Sequence, residues 1–404
     1  MKKYEMLPTE ENIIETLYND PINRNKDIVY FYNILQAQES ASAIAIDGRW
    51  GSGKTFFVRQ TKMVINALNP SSTIDEETKA KATVRLLFSK NDEENENYSI
   101  AVYYDAWEND NDTEPVLSLI YEITKQLSVD FSLSDISVVK TAGAIIEAIS
   151  GHNINGIKDA LTSEDPFKKF KEEKDVEQKI KDFFASILVE RGNRLIIFID
   201  ELDRCKPTFA VHLLEQIKHY IFDDRITFVF SINLEQLQHT IKQYYGADFD
   251  SCRYLDRFFD LRISMPPANM EKFYSEIGLE SRYYVDIVTK RIINMYNFEL
   301  REITRFYSQI KAAVYEPTHD SEKYDFMFPD GKGRQIILIY IVPLLIGLKI
   351  ADISKYDNFI NGRDIEPLKE LLDIDEDNRL LGNMLNRDEH LKKMMKRSWL
   401  QEKK

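Results

Sequence analysis

The sequence predicts an α/β protein, a largely parallel sheet flanked by helices, followed by an all-helical domain. Three observations predict it. Short apolar runs bounded by turns alternate with helical patterns up to Pro266, which is the trace of parallel strands joined by crossover helices. A glycine-rich loop, Gly48-Arg49-Trp50-Gly51-Ser52-Gly53-Lys54-Thr55, follows the first of those runs and opens a helical pattern. After Pro266-Pro267 the pattern is helical, and no strand of comparable quality follows.

The first strand is expected at Ala41–Asp47 and the second at Ile100–Tyr104. Leu195–Ile199 is almost purely apolar, as a strand covered on both faces should be. Ile226–Ser231 and Leu261–Met265 complete the set, and Ala82–Phe88 is a candidate edge strand. Pro70–Lys79 and the acidic run Asn91–Asn97 read as loops. Between the second and third strands, about 113–193, lies a helical insert whose stretch Ile136–Leu161 is interrupted by charges. Met270–Lys311 and Arg334–Lys349 read as helical, and Arg387–Lys404 as a basic helix or tail. The expected division is 1–266 for the sheet domain and 267–404 for the helical one.

At 404 residues the chain exceeds one ordinary domain. Its 53 Lys and Arg against 67 Asp and Glu give a net charge of −14, which argues against a broad grip on nucleic acid or an anionic membrane. Two cysteines, Cys205 and Cys252, exclude a disulfide scaffold. The opening Met1-Lys2-Lys3-Tyr4-Glu5 carries charge with no apolar core after it, so no secretory leader and a cytoplasmic, reducing setting are expected. No stretch reaches the roughly 18 uncharged apolar residues of a membrane span; the nearest, Ile336–Leu348, is short and contains Pro343. The histidines show no metal spacing.

The loop Gly48–Thr55 matches G-x-x-x-x-G-K-[ST]. Glycines let the chain wrap so that backbone N–H groups converge on phosphate oxygens, and the helix that follows presents the positive end of its dipole. Lys54 is expected at the β- and γ-phosphates and the Thr55 hydroxyl on Mg²⁺, with Gly48 through Phe56 in contact with nucleotide. The bland alternative is a glycine-rich turn.

The run Leu195–Ile199 ends in Asp200-Glu201. Carboxylates at the C-terminal end of a parallel strand fall where open α/β sheets bind ligands. Asp200 is the expected Mg²⁺ residue, acting through water, and Glu201 the expected general base toward the attacking water. A strand ending in a solvated acidic turn is the alternative.

Larger blocks surround these motifs. Ile199-Asp200-Glu201-Leu202-Asp203-Arg204-Cys205-Lys206-Pro207 with Ala210–Lys218, the Trp50-Gly51-Ser52-Gly53-Lys54 core, Tyr104-Asp105-Ala106-Trp107, Tyr254–Asp260 and Leu300–Phe306 follow in order over about Asp20 to Ile310. Together they resemble the KAP family of P-loop NTPases, of the AAA+ and STAND-like division. The resemblance implies a P-loop NTPase parallel sheet with a strand between the Walker A and Walker B strands. It also implies ATP and Mg²⁺ as ligands, and an ATP-hydrolysing switch whose nucleotide state sets conformation or assembly. Many family members carry membrane helices inside this domain; here the insert is polar. Known bacterial members include phage-exclusion proteins, so antiviral defence is implied by analogy.

The resemblance further implies roles for single residues. Asn233 would orient the attacking water, or cap the helix beginning at Leu234. Arg257 would be an arginine finger for a neighbouring copy in a homo-oligomer, or a surface ion-pair partner of Asp256 or Asp260. Arg301 would touch nucleotide from the helical domain, or be a solvated helix position, and Arg204 would contact a neighbouring subunit. A protein partner or effector is expected. A nucleic-acid-dependent motor, and a scaffold that ATP merely stabilises, are the competing readings.

Overall fold

The computed structural model describes residues 6–84, 86, 98–131, 145, 168–188, 192–220, 223–315 and 336–373. The chain divides into two compact units, one of Leu7–Asn269 and one beginning at Met270.

In the first unit, α1 (Glu10–Asn19) and α2 (Asn25–Gln36) precede β1 (Ser42–Asp47), and α3 (Lys54–Leu68) and α4 (Glu76–Thr83) follow it. Then come β2 (Ser99–Asp105), α5 (Pro115–Asp130), α6 (Lys168–Leu188), β3 (Arg194–Asp200) and α7 (Pro207–Tyr220). The unit closes with β4 (Ile226–Ile232), α8 (Leu234–Tyr245), the short α9 (Ser251–Leu255) and β5 (Leu261–Ser264). The strands form one sheet in the order β2-β3-β4-β1-β5, and every pairing is parallel. The parallel sheet and its helical flanks are as the sequence predicts, and β4 stands between β1 and β3.

Both faces of this sheet are covered, which is why its strands read as continuous apolar runs. Along β3, Leu195, Ile197 and Ile199 join the core formed with α5, α6 and α7, while Ile196 and Phe198 point to the core formed with α1, α2 and α3.

The outer edge of β2 is closed by side-chain amides. Asn66 of α3 accepts from Ala101 N at 2.8 Å and donates to Ala101 O at 2.9 Å. Gln126 of α5 accepts from Tyr103 N at 2.9 Å and donates to Tyr103 O. Asn69 donates to Ser99 O at 3.0 Å. Three amides thus imitate a sixth strand and leave little of the edge open to another chain.

Two local expectations are corrected. Ala82 and Thr83 close α4 instead of starting an edge strand, and Glu76–Lys79 belong to the same helix, not a loop. The reason is capping: Asp75 accepts from Thr78 N, and Glu76 and Glu77 supply negative charge to the first turn. The rest of Ala82–Phe88 apart from Val84 and Leu86, the run Asn91–Asn97, most of Ile136–Leu161 and all of Arg387–Lys404 lie outside the described residues.

The second unit is helical throughout its described residues. Met270–Lys311 is helical as expected, in α10 (Met270–Ile277), α11 (Tyr284–Met295) and α12 (Leu300–Ile310); at the last two the N–H of Tyr283 donates to Asp286 Oδ2 at 3.0 Å and that of Glu299 to Glu302 Oε2 at 2.8 Å. A π-helical turn at Ile337–Ile341 leads into α13 (Val342–Ala351), whose first turn holds Pro343 without a break. α14 (Ile353–Ile360) and α15 (Glu366–Asp373) follow. Gly347 is needed where it stands, because a Cβ there would come within 2.5 Å of Ile292 Cγ2.

The amide edge generates a prediction. Asn66→Leu would strip β2 of a donor and an acceptor partner at a position only 1% exposed. It should cost about 2–4 kcal/mol, the scale of orphaned buried polar groups, read as a lower denaturant midpoint. An unchanged midpoint would show that the edge is satisfied in another way.

Candidate functional site

The sheet order brings the Gly48–Thr55 loop and the Asp200-Glu201 pair to the same edge, the C-terminal ends of the parallel strands. Gly48 N donates to Ile232 O at 3.1 Å, and Asp47 Oδ1 accepts from Leu234 N at 2.8 Å, so the end of β1 is tied to the end of β4. Gly51 and Gly53 hold φ of 87° and 92°, values that an L side chain strains to adopt. A Cβ on Gly48 would stand 2.9 Å from Met265 Cβ and 3.0 Å from Ser52 Oγ, inside the turn.

Lys54 begins α3 and is buried, its Nζ donating to Gly48 O at 2.6 Å and Arg49 O at 3.2 Å. Burial pulls its pKa down, opposed by the charges of Asp203, Asp200 and Glu201. Ser52 Oγ is buried without a hydrogen-bond partner among the described residues. Thr55 and Phe56 are half-buried in the first turn of α3, and Arg49 and Trp50 are exposed at the loop's tip.

Arg24 buttresses this loop from outside. Its guanidinium donates to Ser52 O at 2.9 Å and to Pro266 O at 2.7 Å, and its backbone N is held by Asp20 Oδ1 at 2.7 Å. No local pattern in the sequence points to that role, since Pro266 is 242 positions away.

Asp200 is 1% exposed. Tyr103 OH donates to its Oδ2 at 3.0 Å and Glu201 N to its Oδ1 at 3.0 Å. Burial, reinforced by the Asp200 charge, raises the Tyr103 pKa and keeps the phenol a donor. Tyr103 is a second residue the sequence did not reveal. Its other surroundings are the Arg59 guanidinium, 4.3 Å from the ring centre, and a cavity of about 330 Å³ bounded also by Pro8, Asp105 and Glu122. Ser231, the register partner of Asp200 on β4, has a buried hydroxyl without a hydrogen-bond partner among the described residues.

Glu201 takes a left-handed backbone conformation, φ 60°, that turns the chain sharply off β3. Burial and then the Asp200 charge push its carboxyl up to about 7. Its Oε2 is 2.5 Å from Arg204 Nε, across the 3₁₀ turn Leu202–Arg204 that places positions three apart on one side. Asp203 accepts from Trp50 Nε1 at 2.6 Å and from the backbone N–H of Asn233; burial raises its pKa, and the Trp50 bond opposes this.

The Asn233 side chain caps α8, accepting from Gln236 N at 3.3 Å. Arg257 is exposed and, among the described residues, makes no ion pair: Asp256 pairs with Arg262, and Asp260 accepts from Ala43 N at 2.9 Å. Arg257 lies just before β5, level with the start of β1, so about 16 Å of strand separates that level from Gly48. Arg301 is exposed on α12 of the helical unit. Arg204, expected at a subunit contact, is paired with Glu201 of its own chain. Both cysteines are free, and burial raises the pKa of the Cys205 thiol.

The donor set suits a magnesium-bound triphosphate. Asp200, Glu201 and Asp203 gather about Lys54 and Arg204, with Asp105 near Asp200 and Arg59, a surplus of carboxylates that a divalent cation relieves. The buried, unpartnered Ser52 hydroxyl and the turn around Gly48 suit phosphate oxygens. Among the described residues no group of three or more His, Cys, Asp or Glu could hold a metal alone. A Mg²⁺ site of one carboxylate, one hydroxyl and substrate phosphates needs none.

A family model described as the KAP family P-loop domain matches residues 24–314. No curated protein matches the chain. Among the described residues no helix is long and apolar enough to cross a membrane.

The buttress is testable. Arg24→Met should leave Ser52 O without its partner and loosen the loop. Calorimetric titration with ATP should show affinity lower by roughly ten-fold, the scale of one charge-assisted hydrogen bond. Unaltered affinity would mean that the loop holds its shape without Arg24.

Proposed function

Because the chain belongs to the KAP family of P-loop NTPases, a family of nucleotide-binding and nucleotide-hydrolysing domains, we propose that it is a Mg²⁺-dependent ATPase used as a switch. ATP binding and hydrolysis set its conformation or assembly and so control a protein partner or effector. The observation that carries the reading is the meeting of the Gly48–Thr55 loop with Asp200 and Glu201 at the C-terminal ends of β1 and β3, on either side of β4.

In this reading the loop N–H groups and the start of α3 bind the phosphates, and Lys54 exchanges its carbonyl partners for phosphate oxygens. Mg²⁺, held by the Thr55 hydroxyl and through water by Asp200, would neutralise charge on the β- and γ-phosphoryl oxygens. Glu201 takes the proton of the attacking water. Asn233, whose side chain and backbone lie between the two motifs, fixes the Asp203 turn and the start of α8. Arg257, at the far edge of its own sheet, supplies its cation to a neighbouring copy. The defence role rests on family analogy, not on the site.

Three variants test this. Lys54→Ala should abolish tight ATP binding while the chain still folds, since Lys54 meets loop carbonyls and no core, with the melting temperature lowered only by the counter-charge that Asp200 loses; retained affinity would remove the phosphate assignment. Glu201→Gln should bind ATP nearly as the native chain does and lose turnover by roughly 10²-fold or more. It should also accumulate in the ATP state, seen as a changed size by light scattering; lost turnover with identical assembly in either state would favour a scaffold. Arg257→Ala should bind ATP and hydrolyse it slowly, and mixing it with Lys54→Ala chains should restore part of the turnover. No rescue in confirmed mixed assemblies would rule out action in trans.

A further inference from the structure

Arg204 has no part in the reaction as proposed, yet its surroundings are built. Its guanidinium carbon lies 5.4 Å from the centre of the Trp50 ring and 5.5 Å from that of Trp107, both within cation–π range. Its side chain is only 22% exposed, and its Nε meets Glu201 Oε2 at 2.5 Å. An isolated surface ion pair between positions three apart contributes little. Here two indoles are committed to it, although Trp50 and Trp107 remain 44% and 52% exposed and so bury little core of their own.

Both indoles are fixed to the strand ends. Trp50 is bonded through Nε1 to Asp203, one residue from Arg204. Trp107 sits in the turn after β2, where Ala106 N donates to Asp200 O at 3.0 Å and Glu108 N to Asp105 Oδ1 at 3.0 Å. Lys206 closes that turn onto the acidic one: its N donates to Asp110 Oδ2 at 3.2 Å, and its ammonium reaches Asn111. The guanidinium is therefore within cation–π reach of one indole that belongs to the phosphate loop and of another whose turn is anchored beside Asp200.

We infer that Arg204, within cation–π reach of Trp50 and Trp107, is a positioning residue that aims the Glu201 carboxylate and couples it to the phosphate loop. The inference rests on the reading of Glu201 as the base. The backbone of Glu201 fixes where its side chain starts, but its rotatable bonds do not fix where the carboxylate ends. The pair with Arg204 removes that freedom before reaction. Trp50 is a loop residue, so a shift of the loop on taking up phosphate is passed to Arg204 through the ring and to Asp203 through the indole N–H. A lysine could pair with Glu201 but would offer the two rings a compact, strongly hydrated ammonium in place of a broad guanidinium.

The test uses the full chain carrying Trp399→Phe, so that indole emission reports Trp50 and Trp107 alone. Arg204→Met keeps the apolar stem and removes the charge. It should lower kcat by roughly 10–10²-fold, the scale of a misaimed catalytic group, with ATP affinity and KM within about two-fold. Arg204→Lys should recover part of kcat. A non-hydrolysable ATP analogue with Mg²⁺ should change indole emission in the Arg204 protein, and that change should be lost in Arg204→Met. If Arg204→Met folds poorly, Trp107→Leu, at a half-exposed position, should lower kcat with affinity preserved. Unchanged or raised kcat, kcat and affinity falling together, or an emission change that survives Arg204→Met would each overturn the inference. Glu201→Gln run alongside separates the failures. If it turns over normally, the base assignment falls; if it is inactive while Arg204→Met is unaffected, only the positioning role does.

Discussion

Asp200 is a carboxylate removed almost wholly from water, and the C-terminal edge of the sheet is arranged around it. A buried charge of this kind costs several kcal/mol unless it is bonded or paired. Its direct partners are a phenol from β2 and a backbone N–H of its own turn, neither of which carries charge. The cation that answers it is Lys54, within electrostatic reach across the phosphate loop. Loop and strand end are therefore not independent motifs. Each supplies part of the other's electrostatic balance, and the position of β4 between β1 and β3 sets their separation. With Asp105, Glu201 and Asp203 nearby, the balance remains negative, the setting in which a divalent cation and its phosphates are bound.

The neutral support for Asp200 comes from an edge strand, which makes β2 more than the end of the sheet. Tyr103 is gripped by Gln126 through both its backbone groups, stacked on by Arg59, and bonded through its hydroxyl to Asp200. The amides that close this edge against other chains also fix the height of the phenol beneath the site. The turn that leaves β2 then carries Trp107 to Arg204. One strand thus supports both acidic residues, Asp200 through hydrogen bonding and Glu201 through the Arg204 guanidinium.

The parts legible in the sequence are those whose chemistry is set by local spacing. The glycines of the loop, Lys54 at the start of a helix, and an apolar run ending in Asp200-Glu201 are all short-range patterns, and a parallel sheet follows from runs covered on both faces. What was not legible depends on partners far along the chain: Tyr103 meets Asp200 across 97 positions and Arg24 meets Pro266 across 242. No periodicity carries such pairs. The misread segment at Glu76–Thr83 has a different cause. Its polar composition resembles a loop, and only the cap at Asp75 with the acidic first turn makes it a helix. Asn233 was open between two roles because an N-cap and a site residue share one position after a strand; the structure shows the cap, and a backbone N–H turned to Asp203.

The placement of Arg257 bears on how many chains the proposed reaction needs. In a parallel sheet the two edges have fixed identities: loops leaving strands gather at one, and segments entering them at the other. The phosphate loop leaves β1 and Arg257 enters β5, whose approach is locked by the mutual bonds of Asp260 and Ala43 at the start of β1. No rotamer of an arginine spans a strand's length, so Arg257 cannot serve the loop of its own chain while β5 keeps this register. Arg204 is the opposite case, close to its own Glu201 and within cation–π reach of its own indoles. On the proposed reading the two arginines therefore divide the work by position. One aims the base from within the chain, and the other, exposed and without an ion pair among the described residues, faces outward to the site of another copy.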